Sequence, residues 1–414
     1  MKKAKVICAA LSLMLAALLF SGCGVFTVNP ERDRAQVVAR INGLELTKGE
    51  IIDIADYYAT YQGLKKTDAD YKTALKKIRE GYAEDLIKNK LILSHGKDYG
   101  ITGLTADEQK QADDQYKQVL DTAKSTTADQ LKEEGITNPT DEQINARLDQ
   151  SYAENHTSRE QIKKSAEESI LLEKISDAMR NTVQDKDITE QQVKEYYDRT
   201  LSTQKSSYDA TPSDFESAYT SGELVVYNLP GYRLVKQIFI PVSTEDRTKL
   251  DELSQKEDPT LGTVSQQALA KIKPTVDEVY AALKAGKTFD ELITKYNKDT
   301  YMPEMGYAIA EKTDVSAKTE SSTEEFYLAD IKSAATKLAK PGDYTAEAVA
   351  THYGYHILQY VKDITPAGEV PYDTVKDKAR ANTLEEKQQK AYDDLLTKWG
   401  KEDKIDRYFD VLNP

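Results

Sequence analysis

The segment from Gly354 to Tyr360 constrains the fold of this chain most. It reads Gly-Tyr-His-Ile-Leu-Gln-Tyr. Side chains alternate between the two faces of a strand, and in this segment each face would carry aromatic or apolar residues. This pattern predicts a strand covered on both sides, and Gly354 indicates a turn or a close backbone approach just before it. His356 lies in the middle of the strand. A lone histidine there is more often a hydrogen-bonded core residue than a catalytic one.

The length and charge of the chain set the broad class. At 414 residues the sequence exceeds a single typical core, so two or three domains are expected. Charged residues make up 30% of the chain and the mean hydropathy is −0.64, which indicates extensive solvated surface. The formal net charge of −14 disfavours nucleic acid as a partner.

The first 23 residues are typical of an export signal. Lys2, Lys3 and Lys5 precede an apolar run, Val6 to Phe20, that is too short to span a bilayer comfortably. The run ends in Phe-Ser-Gly-Cys, which resembles the lipobox of bacterial lipoproteins, with phenylalanine where leucine is usual. We therefore expect cleavage after residue 22, acylation of Cys23, and an extracytoplasmic protein lipid-anchored to the bacterial cell membrane. The alternative is a signal peptide followed by an incidental cysteine.

The segment after the signal predicts a hairpin and then many helices. Asn42-Gly43 separates two short apolar runs, which is a strong hairpin signal. Capping-box spacing predicts later helix starts, and these lie at Thr47, Thr105, Thr140, Thr157, Thr189 and Thr288. The stretch 202–222 is rich in Ser, Thr and Tyr and is interpreted as a linker. Both 243–273 and 316–323 are interpreted as polar insertions.

The order of elements in the second half resembles a known domain. A strand from Tyr232 to Ile240 is followed by helices predicted at 275–283 and after Thr288, then by the turn Gly306-Tyr307, and finally by the strand with His356. This succession resembles a parvulin-type (PpiC) peptidyl-prolyl isomerase domain. The hairpin-then-helix opening, and the chain as a whole, resemble PrsA-like and SurA-like exported foldases.

The resemblance implies an α+β fold. A mostly helical N-terminal chaperone domain would be completed by a C-terminal helix, predicted over 375–399. A parvulin-like domain, built of a four-stranded antiparallel sheet and helices, would be inserted between these two parts. The implied segments are a signal peptide 1–22, a tether 23–36, a helical chaperone domain 37–201, a linker 202–230, a parvulin-like domain 231–365 and a C-terminal segment 366–414.

The resemblance also assigns candidate catalytic residues. His356 falls on the second of the two histidines that parvulins place in the site, and Gln237 stands where the family has the first. Thr351 falls on the hydroxyl position that hydrogen-bonds the pair, and Asp299 matches the acid after the second helix. Glutamine can donate and accept hydrogen bonds but cannot titrate.

Candidate substrate-binding residues follow in the same way. Met305 matches the residue before the glycine-aromatic turn, and Leu338 belongs to the stretch that aligns with the proline pocket. Ile331 and Thr336 stand where the family has two phenylalanines, and Thr336 offers a poor wall for a pyrrolidine ring. Isomerisation of an X-Pro bond crosses a barrier of about 18–20 kcal/mol. It needs an apolar, hydrogen-bonded pocket rather than a nucleophile, metal or cofactor, so no cofactor is expected.

Other chemistry has little support in the sequence. The four histidines have no metal-ligand spacing, and His95 and His156 are interpreted as isolated residues on polar helices. There is no phosphate-binding glycine loop or nucleophile-elbow motif. The chain has 26 tyrosines against 7 phenylalanines. Those in the N-terminal helices either pack a modest core or form a cradle for unfolded clients.

Three functions are therefore weighed. The first is a membrane-anchored isomerase that assists the folding of secreted proteins. The second is a holdase chaperone whose parvulin-like domain is catalytically weak or inactive, which Gln237 and Thr336 favour. The third is a lipoprotein that kept the fold for an unrelated ligand. Under the first two, the partners are unfolded or partly folded exported polypeptides, and a homodimer is a further candidate.

Overall fold

The computed structural model describes residues 30–310 and 323–413, so the expected signal peptide, Cys23 and most of the insertion 316–323 lie outside the described residues. The helices are α1 (Pro30–Arg34), α2 (Gly49–Tyr61), α3 (Tyr71–Ser94), α4 (Ala106–Glu133), α5 (Asp141–Glu154), α6 (Arg159–Arg180), α7 (Glu190–Ala210), α8 (Pro212–Ser221), α9 (Thr244–Gln255), α10 (Leu261–Lys284), α11 (Phe289–Tyr296), α12 (Thr323–Thr336) and α13 (Tyr372–Glu402). The strands are β1 (Val37–Ile41), β2 (Leu44–Thr47), β3 (Tyr227–Asn228), β4 (Tyr232–Pro241), β5 (Tyr307–Ala310), β6 (Val349–Thr351), β7 (Gly354–Asp363), β8 (Gly368–Glu369) and β9 (Ile405–Arg407). None of the helices in these two ranges is long and apolar enough to span a membrane.

The chain folds as two compact units. The first comprises residues up to Asp187 together with those from Leu384 onwards, and the second runs from Ile188 to Thr383. The predicted α+β class, with one domain inserted into a mostly helical domain that the C-terminal segment completes, is thus confirmed. The insertion begins at Ile188, however, and not at residue 231.

The first unit contains a three-stranded sheet in the order β2-β1-β9. The hairpin predicted at Asn42-Gly43 joins β1 to β2, and both turn residues have positive φ (48° and 89°). Strand β9, which the sequence did not reveal, pairs antiparallel with β1 and places Ile405 opposite Ile41. The sheet packs on α2 and α3 to form the core of this unit, whose fully buried large side chains include Ile41, Leu46, Ile51, Ile87, Ile92, Ile175 and Met179.

The end of the predicted tether is ordered against the first unit. Residues 30–34 form α1, and the Arg34 guanidinium donates to the Asp53 carboxylate on α2 (Nη1 to Oδ1, 2.8 Å). The Lys48 ammonium, only 8% exposed, forms an ion pair with Asp33 (Nζ to Oδ2, 3.0 Å). The tether prediction is therefore wrong for its last residues, because ion pairs hold them in place.

Most of the predicted capping boxes are present. Reciprocal side-chain and backbone hydrogen bonds occur at Thr105, Thr140, Thr189 and Thr288. The prediction at Thr157 is off by one residue. Ser158 is the N-cap of α6, and its hydroxyl accepts from the Gln161 N–H at 3.2 Å. Each cap satisfies backbone donors that the first helical turn cannot.

Some tyrosines of the first unit pack in its core, as the first interpretation predicted, while at least one is exposed, as a client-binding cradle would require. Tyr82 and Tyr99 pack against the core of this unit, and Tyr58 contacts the Tyr82 ring edge-on at 5.8 Å between centroids. Tyr61, at the end of α2, is 79% exposed. Core packing therefore accounts for several of these rings, while Tyr61 is free of such packing.

His95 is not the isolated residue that the sequence suggested. It follows α3 and lies between two carboxylates, with Nδ1 2.6 Å from Asp98 Oδ2 and Nε2 2.6 Å from Asp403 Oδ2. Its ring stacks on Trp399 at 3.8 Å between centroids. Burial opposes the charged imidazole, but the hydrogen bonds to Asp98 and Asp403 outweigh it and raise the pKa of His95. The C-terminal segment is thus held to the end of α3 by a charge-assisted contact.

We expect the first unit to lose stability as the pH rises above about 6.5. A histidine whose folded-state pKa is raised stabilises fully below its unfolded pKa of about 6.5, and this contribution is lost as the pH rises through the folded value. Trp399 is the only tryptophan, so its fluorescence during urea unfolding reports this unit. The His95→Gln variant should show a weaker pH dependence over this range. An unchanged dependence would contradict the assignment.

The second unit contains a four-stranded antiparallel sheet in the order β5-β4-β7-β6. Its two faces are covered by different helices, as the pattern of alternating apolar residues in β7 predicted. Ile238 and Ile357 face α10 and α11, where they contact Val276 and Phe289. On the opposite face, Val235, Ile309 and Leu358 pack against Ala335 of α12. His356 and Gln237 belong to this second face.

The linker predicted over 202–230 is wrong, because this stretch is part of the second unit's core. It contains the end of α7, all of α8 and strand β3. Phe215 is fully buried, and its ring is surrounded edge-on by Tyr208, Tyr219 and Tyr232, at 4.7–5.4 Å between centroids. Serine and threonine dominate the exposed face of these helices, while tyrosines supply the buried one.

The stretch 243–273, interpreted as a polar insertion, is helical. It forms α9 and the first half of α10. Ser243 caps α9 by accepting from the Asp246 N–H at 3.1 Å. Helix α10 starts at Leu261 rather than residue 275 and continues through Pro274, because Leu250, Ala268 and Leu269 form a small buried cluster that holds the two helices together.

Candidate active site

His356 and Gln237 lie side by side in the centre of the second unit's sheet. Strands β7 and β4 pair so that His356 is opposite Phe239 and Leu358 is opposite Gln237. Because side chains alternate along a strand, all four project from the same face. His356 Nδ1 is 2.8 Å from Gln237 Oε1. The two residues that the resemblance paired are therefore in direct contact.

Asp299 reaches the amide of Gln237 from the loop after α11. Asn297 holds this loop against β4, because its Oδ1 accepts from the Phe239 N–H at 2.8 Å and from the Asp299 N–H at 3.1 Å. Asp299 Oδ2 accepts from Gln237 Nε2 at 2.5 Å. It also accepts from the Tyr307 hydroxyl at 2.6 Å, while Oδ1 accepts from the Tyr301 N–H at 2.9 Å.

Thr351 contacts the other nitrogen of the imidazole. Its Oγ1 lies 3.1 Å from His356 Nε2 and accepts from the Tyr353 N–H at 3.2 Å. The close backbone approach predicted at Gly354 is present between β7 and β4. A Cβ there would lie 2.2 Å from the Ile240 carbonyl oxygen.

Burial sets the electrostatics of the site. His356 is only 8% exposed and its ring stacks on Phe239 at 4.6 Å between centroids. Burial lowers the pKa of His356 to about 4, and the attraction of the Asp299 charge only partly opposes this shift. Burial also raises the pKa of Tyr307, as does its hydrogen bond to Asp299. The imidazole is therefore neutral, and the phenol keeps its proton, at neutral pH.

The candidate substrate-binding residues divide into two groups. Ile331 and Leu338 pack with Ala335 on the same face of the sheet as His356. Met305, just before the Gly306 turn, is 49% exposed. Ile331, Ala335 and Leu338 give this face an apolar surface beside the polar side chains.

Thr336 makes its hydrogen bonds within and beside α12. Its hydroxyl donates to the Lys332 carbonyl at 2.9 Å, within the helix. Arg233 Nη1 donates to the Thr336 carbonyl at 3.3 Å and to the Leu338 carbonyl at 2.8 Å.

Two side chains at the site were missed by the sequence analysis. Met302 Sδ accepts from the Gln237 N–H at 3.1 Å, which covers β4 beside the amide. The Tyr307 hydroxyl was not singled out, although the residue was quoted for its place in the turn. His352 has a side chain only 10% exposed and lies 4.0 Å from Asp251. The Tyr301-Met302-Pro303 sequence, apolar next to Asp299, was the signal available for Met302.

No group of His, Cys, Asp and Glu within residues 30–310 and 323–413 is arranged to hold a metal ion. The five connected side chains Thr351, His356, Gln237, Asp299 and Tyr307 instead exchange hydrogen bonds among themselves. Such an arrangement can position a substrate amide and exclude water, and it offers no activated nucleophile.

Comparison with known proteins agrees with this geometry. Residues 254–362 match the family described as "Rotamase: PPIC-type PPIASE domain". The match includes Asp299, Thr351 and His356 and begins after β4, so Gln237 lies outside it. The match lies within the second unit and includes three of the four strands of its sheet, so this part of the unit is similar to a PPIC-type rotamase domain.

The whole chain is similar to proteins named PrsA. It is 24% identical over 416 residues to "Foldase protein PrsA" of Clostridium acetobutylicum, covering 98% of each chain. It is 21% identical over 422 residues to the protein of that name in Clostridium botulinum strain Langeland, covering 99% of this chain and 98% of the other. Solved structures that align include PrsA from Bacillus subtilis (18% identity, TM-score 0.27, covering 89% and 93%) and a SurA-like chaperone of Campylobacter jejuni (13%, 0.30, covering 90% and 98%). This is a PrsA-like chain with a parvulin-type domain.

Proposed function

We propose that the chain is an extracytoplasmic foldase whose second unit catalyses peptidyl-prolyl cis-trans isomerisation in unfolded or partly folded exported polypeptides. The observation that carries this proposal is the direct contact of His356 with Gln237 and Thr351 on an otherwise apolar sheet face. His356, Gln237, Thr351 and Asp299 are proposed as the residues of the catalytic site.

The geometry suits a reaction that makes and breaks no covalent bond. Rotation about the X-Pro bond removes the resonance of the imide, and this is the source of a barrier of about 18–20 kcal/mol. Phe239, Met302 and Ile331 offer apolar contacts to a proline ring, so that the imide is partly desolvated when it binds. A neutral imidazole held by hydrogen bonds on both nitrogens needs no reorganisation as the bond twists.

A holdase with a weak isomerase is the second candidate. Its support is that Gln237 replaces a residue that the parvulin resemblance places in the catalytic pair, and that the hydroxyl of Thr336, which stands where the family has phenylalanine, is hydrogen-bonded within α12. In this case the helical first unit would bind clients, and Tyr61, 79% exposed, is a candidate contact.

Two assays on one preparation separate these functions. A protease-coupled proline-peptide assay should show acceleration of isomerisation over the uncatalysed rate, which has a time constant of tens to hundreds of seconds. An aggregation-suppression assay with a reduced, unfolded client tests binding. Suppression without isomerisation would indicate the holdase, and activity in neither assay would exclude both functions.

We further propose that residues 1–22 are a signal peptide, that Cys23 is acylated and that residues 23–29 tether the protein to the membrane. The lipobox-like sequence supports this. Metabolic labelling with a radioactive fatty acid should mark the protein, and Cys23→Ala should abolish the label and release the protein from membranes. Persistent labelling of the variant would contradict the proposal. A homodimer, also proposed, is tested by light scattering.

A further inference from the structure

The amide of Gln237 lies at the centre of a line of hydrogen-bonded side chains. The line runs from Thr351 through His356, Gln237 and Asp299 to Tyr307. Its two end members, Thr351 and Tyr307, lie in β6 and β5, which are the edge strands of the sheet. Asp299 lies in the loop after α11. Every contact in the line is between 2.5 and 3.1 Å, so each side chain restricts the next.

The chemistry of these groups fixes the direction of each hydrogen bond. A carboxylate only accepts, so Asp299 must face the NH₂ of the Gln237 amide. The amide carbonyl therefore faces His356. A carbonyl also only accepts, so Nδ1 of His356 must carry a hydrogen. Nε2 of the neutral ring then keeps its lone pair, and the one hydrogen of the Thr351 hydroxyl is shared between this nitrogen at 3.1 Å and the Gly354 carbonyl at 3.3 Å.

Tyr307 secures the far end of the line. Its hydroxyl and the Gln237 amide donate to the same oxygen of Asp299, and the Tyr301 N–H donates to the other oxygen. Rotation of the carboxylate would break these contacts. A flip of the amide would place its oxygen against a carboxylate oxygen, which leaves two acceptors facing each other and the hydrogen bond between them unmade.

We propose that Gln237 and Tyr307 are positioning residues that hold His356 as the neutral tautomer protonated on Nδ1, so that the site has one protonation state across the neutral pH range. The inference deepens the proposed isomerase function and rests on it for its catalytic consequence. A second histidine at position 237 could donate or accept through either ring nitrogen, and it could titrate. The Gln237 amide, whose NH₂ is bound to the Asp299 carboxylate, presents only its carbonyl oxygen to His356 and does not titrate.

The tautomer is measured by NMR on the full chain labelled with ¹⁵N-histidine. There are four histidines, so the single variants His95→Gln, His156→Gln and His352→Gln assign the His356 signals by elimination. We expect a protonated Nδ1 and an unprotonated Nε2 at pH 7, with no titration above about pH 5. A ring protonated on Nε2, or an even mixture of the two tautomers, would overturn the proposal.

The Gln237→Glu variant tests the control of protonation at almost constant shape. The new carboxylate would sit beside Asp299, so the two share a proton at neutral pH, and its other oxygen would face His356. An anionic acceptor favours the imidazolium, so the titration of His356 should move upward and kcat/KM should become pH-dependent. A titration of His356 equal to that of the unaltered protein would contradict the proposed role of the amide.

Tyr307→Phe tests the anchor, and Tyr232→Phe is its matched control. Tyr232 is in the same sheet, and its hydroxyl also donates to a carboxylate, that of Glu216, at 3.1 Å. We expect Tyr307→Phe to lower kcat/KM by about 3- to 10-fold, the equivalent of one hydrogen bond, and to add a fraction of the Nε2-protonated tautomer. Tyr232→Phe should change neither. Identical behaviour of the two variants would remove Tyr307 from the proposal.

Failure of this inference is distinct from failure of the proposed function. The tautomer is measured without substrate, and the peptide assay without labelled histidine. An inactive protein with Nδ1-protonated His356 would refute the isomerase function and support the inferred tautomer control. An active protein with the other tautomer would do the reverse.

Discussion

Replacement of His356 by alanine is expected to lower kcat/KM for proline-peptide isomerisation by about 10- to 100-fold. The imidazole is buried, stacked on Phe239 and hydrogen-bonded on both nitrogens, so its loss leaves the Gln237 carbonyl and the Thr351 hydroxyl without this partner. Unmade buried hydrogen bonds cost about 1–3 kcal/mol, which corresponds to this range of rates. The protease-coupled peptide assay measures the effect.

His352→Ala is the matched control for this variant. The two histidines lie four residues apart, and the His352 ring lies 4.0 Å from Asp251 and 4.2 Å, between centroids, from the Tyr353 ring. It should retain at least about half of the activity. Circular dichroism of both variants establishes that the fold is kept. An unchanged rate in His356→Ala would refute the assignment of the site.

The same histidine makes a prediction about pH. Because burial lowers its pKa to about 4, His356 is neutral at every pH above about 5. We therefore expect kcat/KM to be flat from about pH 5.5 to 8 in the unaltered protein. An activity that rises or falls tenfold in this interval would show that a titrating group controls the reaction.

Gly306→Ala is expected to destabilise the second unit by about 2–5 kcal/mol. Gly306 has φ of +89°, which costs an alanine about 1–2 kcal/mol. A Cβ would also lie 2.5 Å from the Val235 carbonyl oxygen in β4, and overpacking of this kind adds about 1–3 kcal/mol. Because Tyr307 follows directly, the activity should fall as well. Amide hydrogen exchange of β4 and β7 in the folded protein measures the stability.

Gly286→Ala separates the cost of a positive φ from the cost of a steric clash. Gly286 has nearly the same φ, +87°, but no atom lies within 4 Å of the position that a Cβ would take. It should therefore cost only about 1–2 kcal/mol and leave the rate unchanged. Equal losses in the two variants would mean that the contact with Val235 contributes nothing.

The sequence predicted the parts of the fold that local chemistry specifies. Asn42-Gly43 gave the hairpin, and threonine followed three residues later by glutamate or glutamine gave four helix starts. The pairing of His356 with Gln237 came from the parvulin resemblance, since no local pattern brings residues 119 positions apart together. Asp299 and Thr351 followed from the same source.

The misses have physical causes as well. Strand β9 has three residues and exists only because β1 pairs with it, so it leaves no periodic signal. The helices at 202–222 were not predicted because tyrosines around Phe215, rather than leucines, occupy their buried positions. The usual periodic pattern of aliphatic residues is therefore absent. Thr336 was placed by alignment to a pocket, while its hydroxyl is satisfied inside its own helix.

The pairing of β1 with β9 has a consequence for the order of folding. Ile41 is synthesised long before Ile405. Strand β1 therefore cannot pair with β9 until almost the entire polypeptide has been made. The inserted unit is complete by then and can fold first, in the usual way of domains during synthesis. A nascent chain stopped just before residue 405 should therefore contain a folded second unit, while β1 in the first unit still lacks β9 as its neighbour.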